Sequence, residues 1–234
     1  MTQKGICVYN IYMDFDFQRI LFILPGIILG LTVHEFCHAF AAYKLGDHTA
    51  KEMGRLSFNP IKHIDPIGFL FIILAGFGWA KPVMFNPENL RDPRRDKAII
   101  AAAGPLSNLL LALLLAGFVW LWYSLPRHLA SPENEALLYT IVTSQVMVTI
   151  MTTVYYGAMI NLGLFVFNLF PIPPLDGSHI IFSGLNLDPQ TELSIMKIGA
   201  PLLFLILIIQ NRTGLTILPI GRIISGMLDF IMPF

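Results

Sequence analysis

From Ala136 to Leu175 the chain carries no charged side chain. A membrane-crossing helix needs about 20 mainly apolar residues, so this run is about twice one crossing. Such a stretch belongs in hydrocarbon, where backbone polar groups must be satisfied internally. Composition agrees: 55% of the 234 residues are hydrophobic and 13% are charged, against about 25% charged in a typical soluble domain. Mean hydropathy is +0.67. The chain therefore reads as one membrane-embedded domain over residues 1–234. Its expected class is all-α: a polytopic helical bundle of about four to six membrane segments with a short re-entrant or β-like element.

Five further apolar stretches surround that run. The first, Phe17 to Tyr43, is uncharged from Ile20 to Val33 and has no small-residue cleavage site, which predicts an uncleaved helix. Pro66 to Ala80 is uncharged but short, fitting a tilted helix or a re-entrant element. Ala98 to Leu125 can span and ends among Trp120, Trp122 and Tyr123, aromatics that favour the interface. Leu193 to Gln210 is another span. Leu215 to Phe234 contains Arg222 and Asp229 and reads as interfacial or peripheral. Basic loops at Lys44–His63 and Lys81–Lys97 fall on the cytoplasmic side by the positive-inside rule, provided that Pro66–Ala80 is re-entrant. The 15 basic and 15 acidic residues balance, so no nucleic acid is expected as partner. Cys7 and Cys37 make no disulfide framework.

Within the first apolar stretch stands His34-Glu35-Phe36-Cys37-His38. Ionisable groups are costly in a membrane and persist there mainly for function. Histidines four apart share one helix face. That spacing suits two imidazoles on one zinc ion, with Glu35 as general base. Catalytic zinc usually takes three protein ligands and keeps a fourth position for water. Asp176 is the only acid between Glu135 and Asp188, and it follows Pro171, Pro173 and Pro174. On residues alone it is either the third ligand or part of a surface turn, since Pro-Leu-Asp-Gly is good turn chemistry. Gly177 permits a sharp turn beside it.

The sequence resembles the site-2 protease family of intramembrane zinc metalloproteases, in its compact prokaryotic branch without PDZ or CBS domains. The matching pieces are His34–His38, Asn59–Gly68, Gly76–Val83, Ala103–Asn108 and Asn161–Gly177, in family order. The resemblance implies one Zn2+ per chain held by His34, His38 and Asp176. It also implies cleavage of transmembrane protein substrates within the lipid bilayer of a prokaryotic plasma membrane, with the site towards the cytoplasm. Met84-Phe85 departs from the family, which often has a second proline and a small apolar residue there. Ser178 stands where many relatives have glycine.

Glu35 would take a proton from water and pass it to the leaving amine. Asn168 is the candidate oxyanion donor, at a place where the family has asparagine; a helix–helix hydrogen bond is the alternative. Asn161, on the same helical face, is read first as structural and is also carried with Trp79 and Val83 as a candidate substrate contact. Trp79 to Phe85 is a candidate edge for strand addition by an unwound substrate. Gly104 and Asn108 are read as close helix packing, and His63 and Asp65 as loop hydrogen bonding. A non-catalytic membrane-helix-binding adaptor of the same fold is the alternative function, against which the intact Glu35 argues. A metal-ion transporter would need polar sites along a route.

Overall fold

The computed structural model describes residues 17–75, 78–131, 133–185 and 187–231. Cys7 and the Gly76-Phe77 pair lie outside the described residues. Helices dominate: α1 (Phe17–Lys44), α2 (Thr49–Glu52), α3 (Pro66–Ala75), α4 (Pro93–Leu129), α5 (Glu135–Thr143), α6 (Gln145–Asn168), α7 (Asp176–Leu185), α8 (Pro189–Thr213) and α9 (Ile220–Ile231). Four of them, α1, α4, α6 and α8, are long and apolar enough to cross a membrane. The chain is a multi-pass membrane protein.

The helix starts follow local chemistry. Asp92 caps α4 by accepting from the Arg95 amide, and Pro93 takes the first turn, where a missing N–H costs nothing. Asp188 and Pro189 do the same for α8, and Gly214, at φ 71°, ends that helix in the left-handed region. The long uncharged run does not form one element. It breaks at Ser144, in extended backbone, into α5 and the spanning α6.

Small residues let α1, α4 and α6 pack closely. A Cβ on Gly26 of α1 would come within 2.7 Å of the Gly157 Cα on α6. Ala112, Ala116 and Val119 of α4 pack with Ala158 and Leu162 of α6. Lipid gives no hydrophobic drive between helices, so close packing of small side chains and interhelical hydrogen bonds hold such a bundle. The C-terminal stretch is not merely peripheral: α9 buries Leu228 against this core.

Pro66–Ala80 does not span. Helix α3 has ten residues, about 15 Å at 1.5 Å per residue and half the hydrocarbon thickness. The chain then returns: Ile64 and Ala80 form an antiparallel bridge, and the Lys81 amide donates to His63 O at 2.8 Å. This out-and-back path fits the re-entrant alternative.

Two buried charges frame the returning segment. The Arg55 guanidinium donates to Lys62 O and Lys81 O, tying both arms together. Asp47 accepts from the Asn86 amide (2.9 Å), Asn89 Nδ2 (2.7 Å), Thr49 Oγ1 (2.6 Å) and the Thr49 amide (3.2 Å). Burial acts to raise the Asp47 carboxyl, but these four donors outweigh it and hold it below the usual carboxylate range.

Candidate metal centre

Helix α1 carries His34, Glu35 and His38 on adjacent turns, all buried. Asp176 opens α7, just after the proline-rich turn. Its approach depends on Gly177, though not through left-handed backbone: a Cβ there would run into the carbonyls of Leu169 and Phe170. Ser178 is fully buried and closes the same turn by donating to Leu175 O at 2.7 Å. The turn thus faces inward, and His34 Nε2 lies 3.2 Å from Asp176 Oδ2, His38 Nε2 3.4 Å from Oδ1. The two Nε2 atoms are 2.9 Å apart. One ligand atom from each residue falls within 4.8 Å of the others.

Helix α4 forms the wall behind the imidazoles. A Cβ on Gly104 would stand 2.5 Å from His38 Cε1 and 2.7 Å from His34 Cε1. Gly104 therefore does pack closely, but against the histidine rings. Asn108, one turn on, accepts from His34 Nδ1 at 2.6 Å, and Ile100 O accepts from His38 Nδ1 at 2.7 Å. Sequence reading gave Asn108 only a packing role. The available signal was a polar amide in an apolar helix, which requires a partner.

These contacts decide the charge balance of the site. Both Nδ1 atoms face oxygen acceptors, so both carry hydrogen. Each neutral imidazole then presents a bare Nε2 lone pair. The third member, Asp176, offers carboxylate oxygens, and Oδ2 is buried without a hydrogen-bond donor. In that form of the rings three acceptors converge, an arrangement that repels itself unless a proton or a metal cation lies between them. Two imidazoles and one carboxylate are a donor set suited to a borderline divalent metal.

Glu35 projects from the same turn. Its Oε2 accepts from the Val83 amide at 3.1 Å, so the returning segment crosses directly over the carboxylate. Trp79, earlier in that segment, packs its ring on Phe71 and edge-on with Phe204. Met84 is exposed, whereas Phe85 packs against Ala42, Leu90 and Ile100. Asn168 donates an amide hydrogen to Leu164 O at 2.9 Å, within its own helix. Asn161 does not face an open surface. It is completely buried, and its Oδ1 accepts from Asn108 Nδ2 at 2.9 Å.

The other polar groups stay apart from this centre. His63 Nε2 donates to Ser57 O at 2.6 Å, and Asp65 Oδ1 accepts from the Gly68 amide at 2.8 Å. Burial pushes His63 below the ordinary histidine value, and the Arg55 cation adds to that. His179 Nδ1 lies 3.7 Å from Glu192 Oε1. Cys37 is half-buried on α1 and unpaired among the described residues.

A sequence profile of peptidase family M50 matches residues 22–208. The chain is 38% identical over 170 residues to "Putative zinc metalloprotease YwhC" of Bacillus subtilis, covering 73% of this chain and 72% of that protein. It is 29% identical over 194 residues to "Putative zinc metalloprotease Rip2" of Mycolicibacterium smegmatis, covering 81% and 67%. No solved structure gives a significant match. With the profile covering most of the chain, and with two histidines, a glutamate and an aspartate gathered at one depth between helices, the chain belongs to peptidase family M50, the site-2 protease family of metalloproteases.

Proposed function

We propose that this protein is an intramembrane zinc endopeptidase that cleaves transmembrane segments of other membrane proteins. The carrying observation is the convergence of the two imidazole Nε2 atoms and the Asp176 carboxylate, with both Nδ1 positions engaged elsewhere. His34, His38 and Asp176 would hold one zinc ion, the three-ligand set that leaves a fourth position for water. The names of the relatives support zinc as that metal. Zinc, when bound, supplies Lewis acidity that brings the pKa of water to about 7 and polarises a carbonyl.

The remaining roles fall to the chain. Glu35, a buried carboxylate beside both histidines, takes the proton of the attacking water and delivers it to the departing amine nitrogen. Asn168 offers amide hydrogens to the developing oxyanion. The Trp79–Phe85 segment receives an unwound substrate as an added strand, its Trp79 and Val83 backbone lying against the incoming peptide. The substrate leaves the Glu35 carboxylate accessible only by displacing the Val83 amide from it. The active site opens towards the cytoplasmic face, where the basic loops lie.

The test is metal content and cleavage of single-span substrates by purified wild type and Glu35→Gln. One zinc in each, with cleavage by wild type alone, supports the reading. Stoichiometric zinc without cleavage of any substrate by either protein would favour an adaptor that binds membrane helices. Absence of zinc from the wild type would sink the ligand assignment.

A further inference from the structure

We propose that Asn108 and Asn161 are positioning residues of the metal centre: a two-amide relay that fixes the tautomer of His34 from fixed backbone carbonyls. The proposal rests on the zinc reading of the His34, His38 and Asp176 group.

The relay has a direction. An asparagine amide donates from one end and accepts at the other. Asn161 Nδ2 donates to Gly157 O at 2.8 Å and to Gly26 O at 3.5 Å. Those carbonyls can only accept, so Asn161 must turn Oδ1 the other way, towards Asn108. Asn108 Nδ2 uses both of its hydrogens, on Asn161 Oδ1 at 2.9 Å and Gly30 O at 3.1 Å. Its Oδ1 is thereby turned to His34 Nδ1, 2.6 Å away. Flipping either amide would set acceptor against acceptor in a fully buried place. The hydrogen of His34 is therefore held on Nδ1, and the Nε2 lone pair is aimed at Asp176 and His38. His38 reaches the same state through one backbone carbonyl, Ile100 O. His34 needs the relay because its Nδ1 is met by a side chain of another helix, whose own orientation must be fixed.

The packing keeps this channel open. A Cβ on Gly30 would fall 2.7 Å from Asn161 Oδ1, so α1 leaves room for the amides at the point where they cross from α6 to α4. Groups that orient a metal-ligating imidazole typically change metal affinity by about 10–100-fold when removed.

The experiment uses the full chain in detergent. Zinc affinity comes from chelator competition, and nitrogen-15 histidine NMR reads the tautomers of the metal-free protein. In the wild type, His34 and His38 are expected in the Nδ1–H form. Asn108→Leu should move His34, and not His38, towards the Nε2–H form and weaken zinc by about 10–100-fold. Asn108→Asp keeps an acceptor opposite His34; it should retain the tautomer and recover most of the lost affinity, even where thermal stability falls. Asn161→Leu, which removes no atom touching His34, should weaken zinc in the same direction and add nothing on top of Asn108→Leu. An unchanged His34 tautomer in Asn108→Leu, or additive effects of the two leucines, would overturn the relay. Should Asn108→Leu lose its helical structure, Asn108→Asp and Asn161→Leu still decide: equal loss in both asks only for packing, and overturns it. A wild type with the expected tautomers that binds no zinc would defeat the zinc reading and leave the relay standing.

Discussion

Glu35 sits between two roles that chemistry separates. As a neighbour of the proposed ligands His34 and His38 it adds negative charge, and as the proposed base it would move a proton. Glu35→Gln keeps the shape and loses the second role. Proton transfer by a positioned group is worth about 10²–10⁴-fold, so cleavage should fall by that order while bound zinc stays stoichiometric, as elemental analysis would show. Gly104 offers a second residue-scale test. Alanine there drives a methyl group into both imidazoles, and overpacking of this kind costs about 1–3 kcal/mol. Gly104→Ala should lower the thermal midpoint and weaken zinc together. The five-residue motif made His34, Glu35 and His38 legible in sequence because adjacent turns of one helix hold all three. Asp176 was legible as a lone acid after prolines: on residues alone a surface turn fitted equally well, the family resemblance favoured the ligand, and the fold brings it, half-buried, against both imidazoles. Asn108 was not legible in its role: it stands 74 residues from His34, and only the packing of α4 on α1 brings the two together.

Among the elements, the loops carry as much design as the helices. Asp47 and Arg55 clamp the returning segment at its two ends, and between them it runs over Glu35. Val83→Pro removes the amide that faces Glu35 and the donor an added strand would need. It should cut cleavage at least about tenfold while zinc remains bound, since no metal ligand is touched. His63 makes this clamp sensitive to acid. Its Nε2 donates to Ser57 O and its Nδ1 is buried without a partner, so the folded state holds it neutral beside Arg55 and Lys62, with Glu35 the facing anion. Its folded value lies below the unfolded one. The stability it contributes is therefore complete above about pH 6.5 and declines as pH falls through the folded value. Hydrogen-exchange protection in residues 55–75 and 78–91, corrected for the intrinsic pH dependence of exchange, should fall between pH 7.5 and 5.5, and His63→Leu should flatten that dependence. Of the helices that begin at an Asp-Pro pair, apolar patterning marked the start of α3 at Pro66 but set those of α4 and α8 at Ala98 and Leu193, inside helices that begin with charged first turns at Pro93 and Pro189. The sequence concealed the break at Ser144, because no charge, proline or glycine stands there, and tertiary packing chooses where α6 begins.

Across the whole molecule, the return of α3 sets the topology. Because Ile64 meets Ala80, the loops on either side of α3 share one face. Cysteines introduced at Lys51 and Arg91, both exposed, should be labelled by a membrane-impermeant reagent from the same side of sealed vesicles, the cytoplasmic side. Labelling from opposite sides would contradict the fold. Tight contact between α1 and α6 has a similar global weight: Gly26→Leu cannot be accommodated against Gly157 and should disperse the bundle, seen as early proteolysis. The half-length of α3 also bears on a reactant that is easily forgotten. Glu35 lies nine residues before the end of α1 at Lys44, about 14 Å along the axis, or about half the thickness of a hydrocarbon layer of about 30 Å. Under the proposed activity every bond cut would consume one water molecule, carried from the aqueous phase towards the buried Glu35. The proposed hydrolysis would then draw its solvent from the face that the loops on either side of α3 share, past the short segment that returns from Ile64 to Ala80.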